Sequence, residues 1–390
     1  MIEGLIGGLF NGISIGAVLL IVALGLAIVF GLMGVINLAH GELMMLGAYT
    51  TYVVQNGAKL LGDGALEFYI LAALPLSFLV AALAGLVLER GVIRHLYGRP
   101  LETLLATWGV SLILRQFVRS VNGAMVIGLV IFCVLFFGGR WILQKQANWE
   151  QLKRIANPVI LLLSVAIALI AGFVSNTSGG DTLSRAWFSA RNVDVTAPSW
   201  LRGGVSLGAT LQFPYARLFI IVLTALCLVG VYWFLNGTAW GLRIRSVTQN
   251  RGMSACLGIP TAKVDALTFA LGSGLAGIAG CAVTLLGSVG PNLGGNYIVD
   301  AFMVVVVGGV GKLVGSIVAA IIIGIVTYLL GSGTLALLVP ASAGLQPLLD
   351  LLTFFATTSM AKVMVFALII AFLQWKPAGM FPQKGRAVEV

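Results

Sequence analysis

Asn37, His40 and Glu42 are the residues whose types and spacing most suggest chemistry, and they fall together in GLMGVINLAHGELMMLGAY, Gly31–Tyr49. Acid–base work needs two groups that face each other. His40 and Glu42 are two residues apart, so on a helix they point in different directions and make a poor dyad. Asn37, His40, Gly41 and Met44 share one helical face by i+3, i+4 and i+7 spacing, which leaves Glu42 toward a neighbouring helix as a structural hydrogen-bond partner. Such a face offers hydrogen bonds to a solute. Elsewhere there is no GxSxG elbow, HExxH, CxxC pair or dinucleotide fingerprint, and the four cysteines have no metal-ligand spacing. The stretch GGVGK ending at Lys312 imitates a phosphate loop, but Val306 and Leu313 stand where glycine and Ser or Thr are required. Lys312 reads instead as an anchor beside a small-residue packing motif, Gly308, Gly309, Gly311 and Gly315.

The elements that position these residues must be membrane helices. The chain is 59% hydrophobic and only 9% charged over 390 residues, a composition no soluble domain of that size carries. The fold class is all-α, a polytopic transmembrane bundle with roughly eleven apolar segments, some broken or re-entrant. No Asp, Glu, Lys or Arg occurs between Glu3 and Glu42. That run is too long for one span and too short for two with a loop, since one span needs about 20 residues. We read a long helix at about 5–30, a glycine-punctuated break, and a short helix starting near Asn37. Irregular backbone at membrane depth survives only against protein or a water-filled path, so the break marks where a transporter holds or passes its solute. The alternative is that Asn37 and His40 cap a helix at the membrane surface. An acid at the bilayer centre costs on the order of 3 kcal/mol. Glu42 and Asp300 must therefore be paired, protonated, in a wet cavity or near an interface, and for Asp300 an interface or helix-end position is expected.

Placing the N-terminus outside puts 15 of the 23 basic residues in inside loops, against five acids. This is the positive-inside bias. The net charge of +10 thus reports orientation rather than a nucleic-acid partner. Asn250 is expected at the cytoplasm and Ser189 outside. The N-terminus lacks the pattern of a cleaved signal peptide. Residues 144–156 form a polar linker between two apolar runs, and residues 175–217 form a long polar connection with Trp187 and Trp200. Between Asn236 and Thr261, QNRGMSACLGI reads as a short helix with Met253, Cys256 and Leu257 on one side and Arg251 on the other, stopped by Gly258 and Pro260. With no ATP-binding motif in the chain, active transport would draw on an ion gradient or on a separate subunit.

At INLAHGELMMLGAY, RPLETLLATWGVSLIL, NRGMSACLGI and NYIVDAFMVVVVGGVGKLVGS the sequence resembles the permease subunits of branched-chain amino acid-type ABC importers, closest to their urea/short-chain amide branch. The resemblance covers most of residues 1–390 as a single permease domain, with an insertion-like region at about 120–210. It implies a transport subunit without its own ATPase and with no cofactor in this chain. A second permease, two cytoplasmic ATPases that use ATP and magnesium, and an extracytoplasmic solute-binding protein complete the assembly in a bacterial inner membrane. The C-terminus would be cytoplasmic and the N-terminus periplasmic, with membrane lipid and no nucleic acid among the partners. It maps Asn37, His40, Gly41 and Glu42 onto the family's first break, and Thr107, Trp108 and Gly109 onto its re-entrant segment. It maps Asn250, Arg251, Ala255, Leu257, Gly258 and Ile259 onto the ATPase-coupling helix. Urea, small and neutral, needs hydrogen-bonding groups, which Asn37, His40, Thr107 and Asn292 could supply. An amino acid zwitterion would favour helix ends facing its charges. The expected solute is urea or a short-chain amide moved inward by alternating access. The alternatives are a branched-chain or hydrophobic amino acid permease, or a stand-alone secondary transporter or urea channel.

Overall fold

A bilayer offers the backbone no hydrogen-bond partner, so each apolar run must close its own bonds as a helix. In the computed structural model, residues 2–143, 149–178, 187–188, 191–207, 211–334, 346, 353–354 and 356–381 are described. Lys145, Ser189, Lys384, Arg386 and Glu389, which enter the orientation argument, lie outside them. Every apolar run becomes a helix: α1 (Ile2–Met33), α2 (His40–Leu61), α3 (Asp63–Gly91), α4 (Pro100–Ser120), α5 (Gly123–Leu143), α6 (Trp149–Ser178) and α7 (Tyr215–Gly237). After α8 (Ala239–Gln249) and the short α9 (Arg251–Cys256) come α10 (Thr261–Thr284), α11 (Leu293–Gly308), α12 (Leu313–Gly331) and α13 (Thr358–Trp375). Among the described residues, seven helices are long and apolar enough to cross a membrane: α1, α3, α5, α6, α7, α10 and α12. The chain is a polytopic helical membrane protein.

The chain divides into two compact units, Met1–Leu112 with Val193–Val390, and Ile113–Asn192. In the first, α1 and α10 are the buried centre. Helix α1 packs on α10, α11, α12 and α7, and α10 packs on α3 and α2. Thr224 of α7 donates to Ala17 O of α1 at 3.2 Å, and Phe30 of α1 stacks on Phe302 of α11 with ring centroids 5.8 Å apart. In the second unit α5 and α6 form an antiparallel hairpin, with Gly128 against Ala168 and Gly139 against Ile160.

Three features differ from the sequence reading. The helix after the break is not short: α2 runs 22 residues, about 33 Å. The connection between α7 and α10 holds two helices, because α8 is amphipathic and too polar to register as an apolar run. The long polar connection gains, after residue 190, local structure that the sequence reading did not specify. Gln55 Nε2 and Tyr69 OH both donate to Thr196 O (3.0 and 2.9 Å), Trp200 Nε1 donates to Glu67 O (2.8 Å), and β1 (Gly204–Leu207) pairs antiparallel with β2 (Leu211–Pro214).

Candidate functional site

The break is built by its own residues. Helix α1 ends at Gly34, whose φ of +68° is the left-handed conformation that glycine adopts freely. Asn37 Oδ1 then accepts from Ala39 N at 3.0 Å and turns the chain into α2. His40, the first residue of α2, reaches back to α1, with Nε2 3.3 Å from Val22 O. A carbonyl only accepts, so Nε2 carries the proton. About 16 Å of helix separates Val22 from the end of α1 at Met33, roughly half a bilayer core. The segment 34–39 therefore doubles back, and α2 starts beside Val22 within the body of α1.

A second helix starts at the same depth. Gly41 packs on Gly294 at the head of α11: a Cβ on Gly41 would lie 2.8 Å from the Gly294 carbonyl carbon and 3.1 Å from its Cα. No residue but glycine fits there. Two helix N-termini thus meet, each with orphan N–H groups and a positive dipole end. Glu42 occupies the first turn of α2, whereas the first turn of α11 carries no acid. Gly25 must be glycine as well: a Cβ there would meet the Gly272 carbonyl oxygen of α10 and come 2.9 Å from His40 Cε1.

Helix α4 holds the break from one side. Leu38 N donates to Thr107 Oγ1 at 3.2 Å, and one turn later Ser111 Oγ donates to Glu42 Oε1 at 3.1 Å. Asn37, His40, Glu42, Thr107 and Ser111 are all buried. Among the described residues, Asn37 Nδ2 and His40 Nδ1 are buried with no hydrogen-bond partner. Trp108 and Gly109 are turned away from the break: Trp108 is 54% exposed, and a Cβ on Gly109 would meet open space. Asn292 is exposed at the N-cap of α11, the helix whose Gly294 touches Gly41. Asp300 lies inside α11 rather than at its end, because α11 starts at Leu293; its charge is matched by Lys362 of α13 at 3.0 Å. Ser111, Val22, Gly25 and Gly294 were missed from sequence. The repeat Thr103, Thr107, Ser111 at i,i+4 spacing was the available signal for Ser111.

At the other candidate surface, Asn250 Oδ1 caps α9 by accepting from Met253 N at 2.9 Å. Gly258 (φ +81°) ends it, with Gly258 N on Ala255 O and Ile259 N on Ser254 O, both 3.0 Å. Arg251 is pinned to Asp265 of α10 at 2.5 Å and lies 4.9 Å over the Tyr97 ring. The helix is therefore held rigidly on one side and presents Met253 (59% exposed) and Leu257 (75% exposed) on the other.

Broken helices that meet within a multi-pass bundle define a membrane permease. The chain belongs to the family described as branched-chain amino acid transport system / permease component, whose model matches residues 8–373. It is similar to the high-affinity branched-chain amino acid transport system permease protein LivH of Salmonella typhimurium, 23% identical over 319 residues, 81% of this chain and 83% of that protein. The corresponding BraD of Pseudomonas aeruginosa is 24% identical over the same shares. A probable branched-chain amino acid permease LivH of Methanocaldococcus jannaschii is 26% identical over 234 residues, 59% of this chain and 68% of that protein. No solved structure matches. The urea branch finds no support among these relatives; the amino acid alternative is the better fit.

Proposed function

We propose that this chain is the transmembrane permease of an ATP-driven importer for a branched-chain or other hydrophobic amino acid. The observation that carries the reading is the meeting of the α2 and α11 N-termini at Gly41 and Gly294. The α11 end, which has no acid in its first turn whereas α2 carries Glu42, suits the carboxylate of a zwitterion, and the names of the relatives support the same solute class. Asn37 adds beside these helix ends a donor with no partner among the described residues. A second permease would complete the path, two ATPases would dock on the Met253–Leu257 face of α9 and supply the ATP and magnesium chemistry, and a solute-binding protein would deliver from outside. The basic loops then face the cytoplasm of an inner membrane, with the N-terminus outside and the C-terminus inside, and the region about 120–210 is an insertion into one permease domain.

Urea remains a second reading on one observation: the buried groups at the break with unused capacity, Asn37 Nδ2 and His40 Nδ1, are neutral hydrogen-bonding atoms. Uptake into proteoliposomes holding the whole complex, its binding protein and internal ATP separates the two. Labelled leucine should accumulate and excess urea should leave its rate unchanged. Accumulation of labelled urea without leucine uptake would overturn the amino acid reading.

A further inference from the structure

On the same face of the bundle as α8, the ends of three membrane helices frame a groove of about 650 Å³. Its inner wall is apolar: Ile28 and Leu32 from the last turns of α1, and Leu235 from the end of α7, with Tyr232 beside them. Its mouth carries two cations, Arg245 of α8 and Lys312 at the head of α12. Arg245 is aimed by a 3.1 Å hydrogen bond to Asn236 Oδ1. Lys312 makes no ion pair or side-chain hydrogen bond among the described residues, and it is exposed. No carboxylate lines this groove among the described residues. Trp233 is exposed nearby, and Arg243 lies 4.8 Å over the Trp240 ring, so amphipathic aromatics mark this level as a membrane–water boundary.

We propose that this groove binds one anionic phospholipid, with the phosphate between Arg245 and Lys312 and acyl chain against the α1 and α7 ends. A soluble anion would leave the apolar wall wet, and a zwitterionic lipid would bring its own cation to a mouth that already holds two. The membrane leaflet toward the cytoplasm is the anionic one, and basic pockets between helix ends there select such headgroups. The proposal rests on the inward placement of the basic face given above. A lipid titration in detergent does not depend on that placement, so the two can fail separately.

The test is native mass spectrometry of the purified, delipidated complex titrated with phosphatidylglycerol, phosphatidylcholine or inorganic phosphate. Wild type should retain one phosphatidylglycerol in preference to phosphatidylcholine, undisplaced by phosphate. Arg245→Gln/Lys312→Gln should weaken that binding at least tenfold, and Arg94→Gln, exposed elsewhere in the basic loops, should not. Lys312→Gln alone, at a side chain with no ion pair or hydrogen bond among the described residues, should give a partial loss and serves if the double variant does not assemble. Equal retention in all variants, equal loss with Arg94→Gln, equal binding of phosphatidylcholine or displacement by phosphate would overturn the proposal. So would a double variant that sheds the ATPase subunits while keeping its lipid, which would make the groove a protein-docking surface.

Discussion

Ser111 and Glu42 carry the polar load of the break between them, because a buried carboxylate must keep its donors. Ser111→Ala should lower the stability of the assembled complex by about 1–3 kcal/mol, the range for depriving a buried acceptor of its donor. Its transport rate per surviving complex should stay near wild type. Thermal unfolding of the purified complex measures the first and uptake the second; a loss of rate with unchanged stability would move Ser111 from support into the solute path. Gly25→Val should abolish assembly, since a side chain there collides first with the Gly272 carbonyl of α10 and then with the His40 ring, and a recoverable complex at normal yield would contradict the packing. At this scale the sequence was half legible. Asn37, His40 and Glu42 announced themselves as polar residues in an apolar run. Gly25 and Gly294 did not, because a glycine required by a distant neighbour looks like any other of the 50 in the chain.

Among the elements, the apolar runs were legible because desolvated backbone leaves only the helix. The starting depth of α2 was not, since it depends on the return of segment 34–39 to Val22, a tertiary event. Helix α8 escaped because its apolar residues, Leu242, Ile244 and Val247, are too few for a hydropathy window. Helix α9 was legible through Gly258 and Pro260. Arg251→Glu would set an acid against Asp265, and Gly258→Ala would force a side chain into φ +81°, at a cost of roughly 1–2 kcal/mol. Both variants should insert and fold but lose stimulation of ATP hydrolysis by the loaded binding protein. Normal stimulation and uptake in both would reduce α9 to a loop.

For the whole molecule, orientation follows from where the basic loops gather, and it can be read in intact cells. In a background without Cys133, Cys227, Cys256 and Cys281, Ser206→Cys on β1 should react with a membrane-impermeant thiol reagent. Asn250→Cys should react only after permeabilisation. Labelling of position 250 from outside would reverse the topology.

The central claim is that solute passes the break while coupling happens at α9, so the two functions should separate. In proteoliposomes with the whole complex, uptake and ATP hydrolysis are measured together for Asn37→Leu. Removing one polar contact made in the transition state should slow uptake per assembled complex by about ten- to a hundredfold, the kinetic equivalent of about 1–3 kcal/mol. Hydrolysis should still rise when the loaded binding protein is added. Full uptake by a stably assembled Asn37→Leu complex would contradict the account and leave the break a structural feature only.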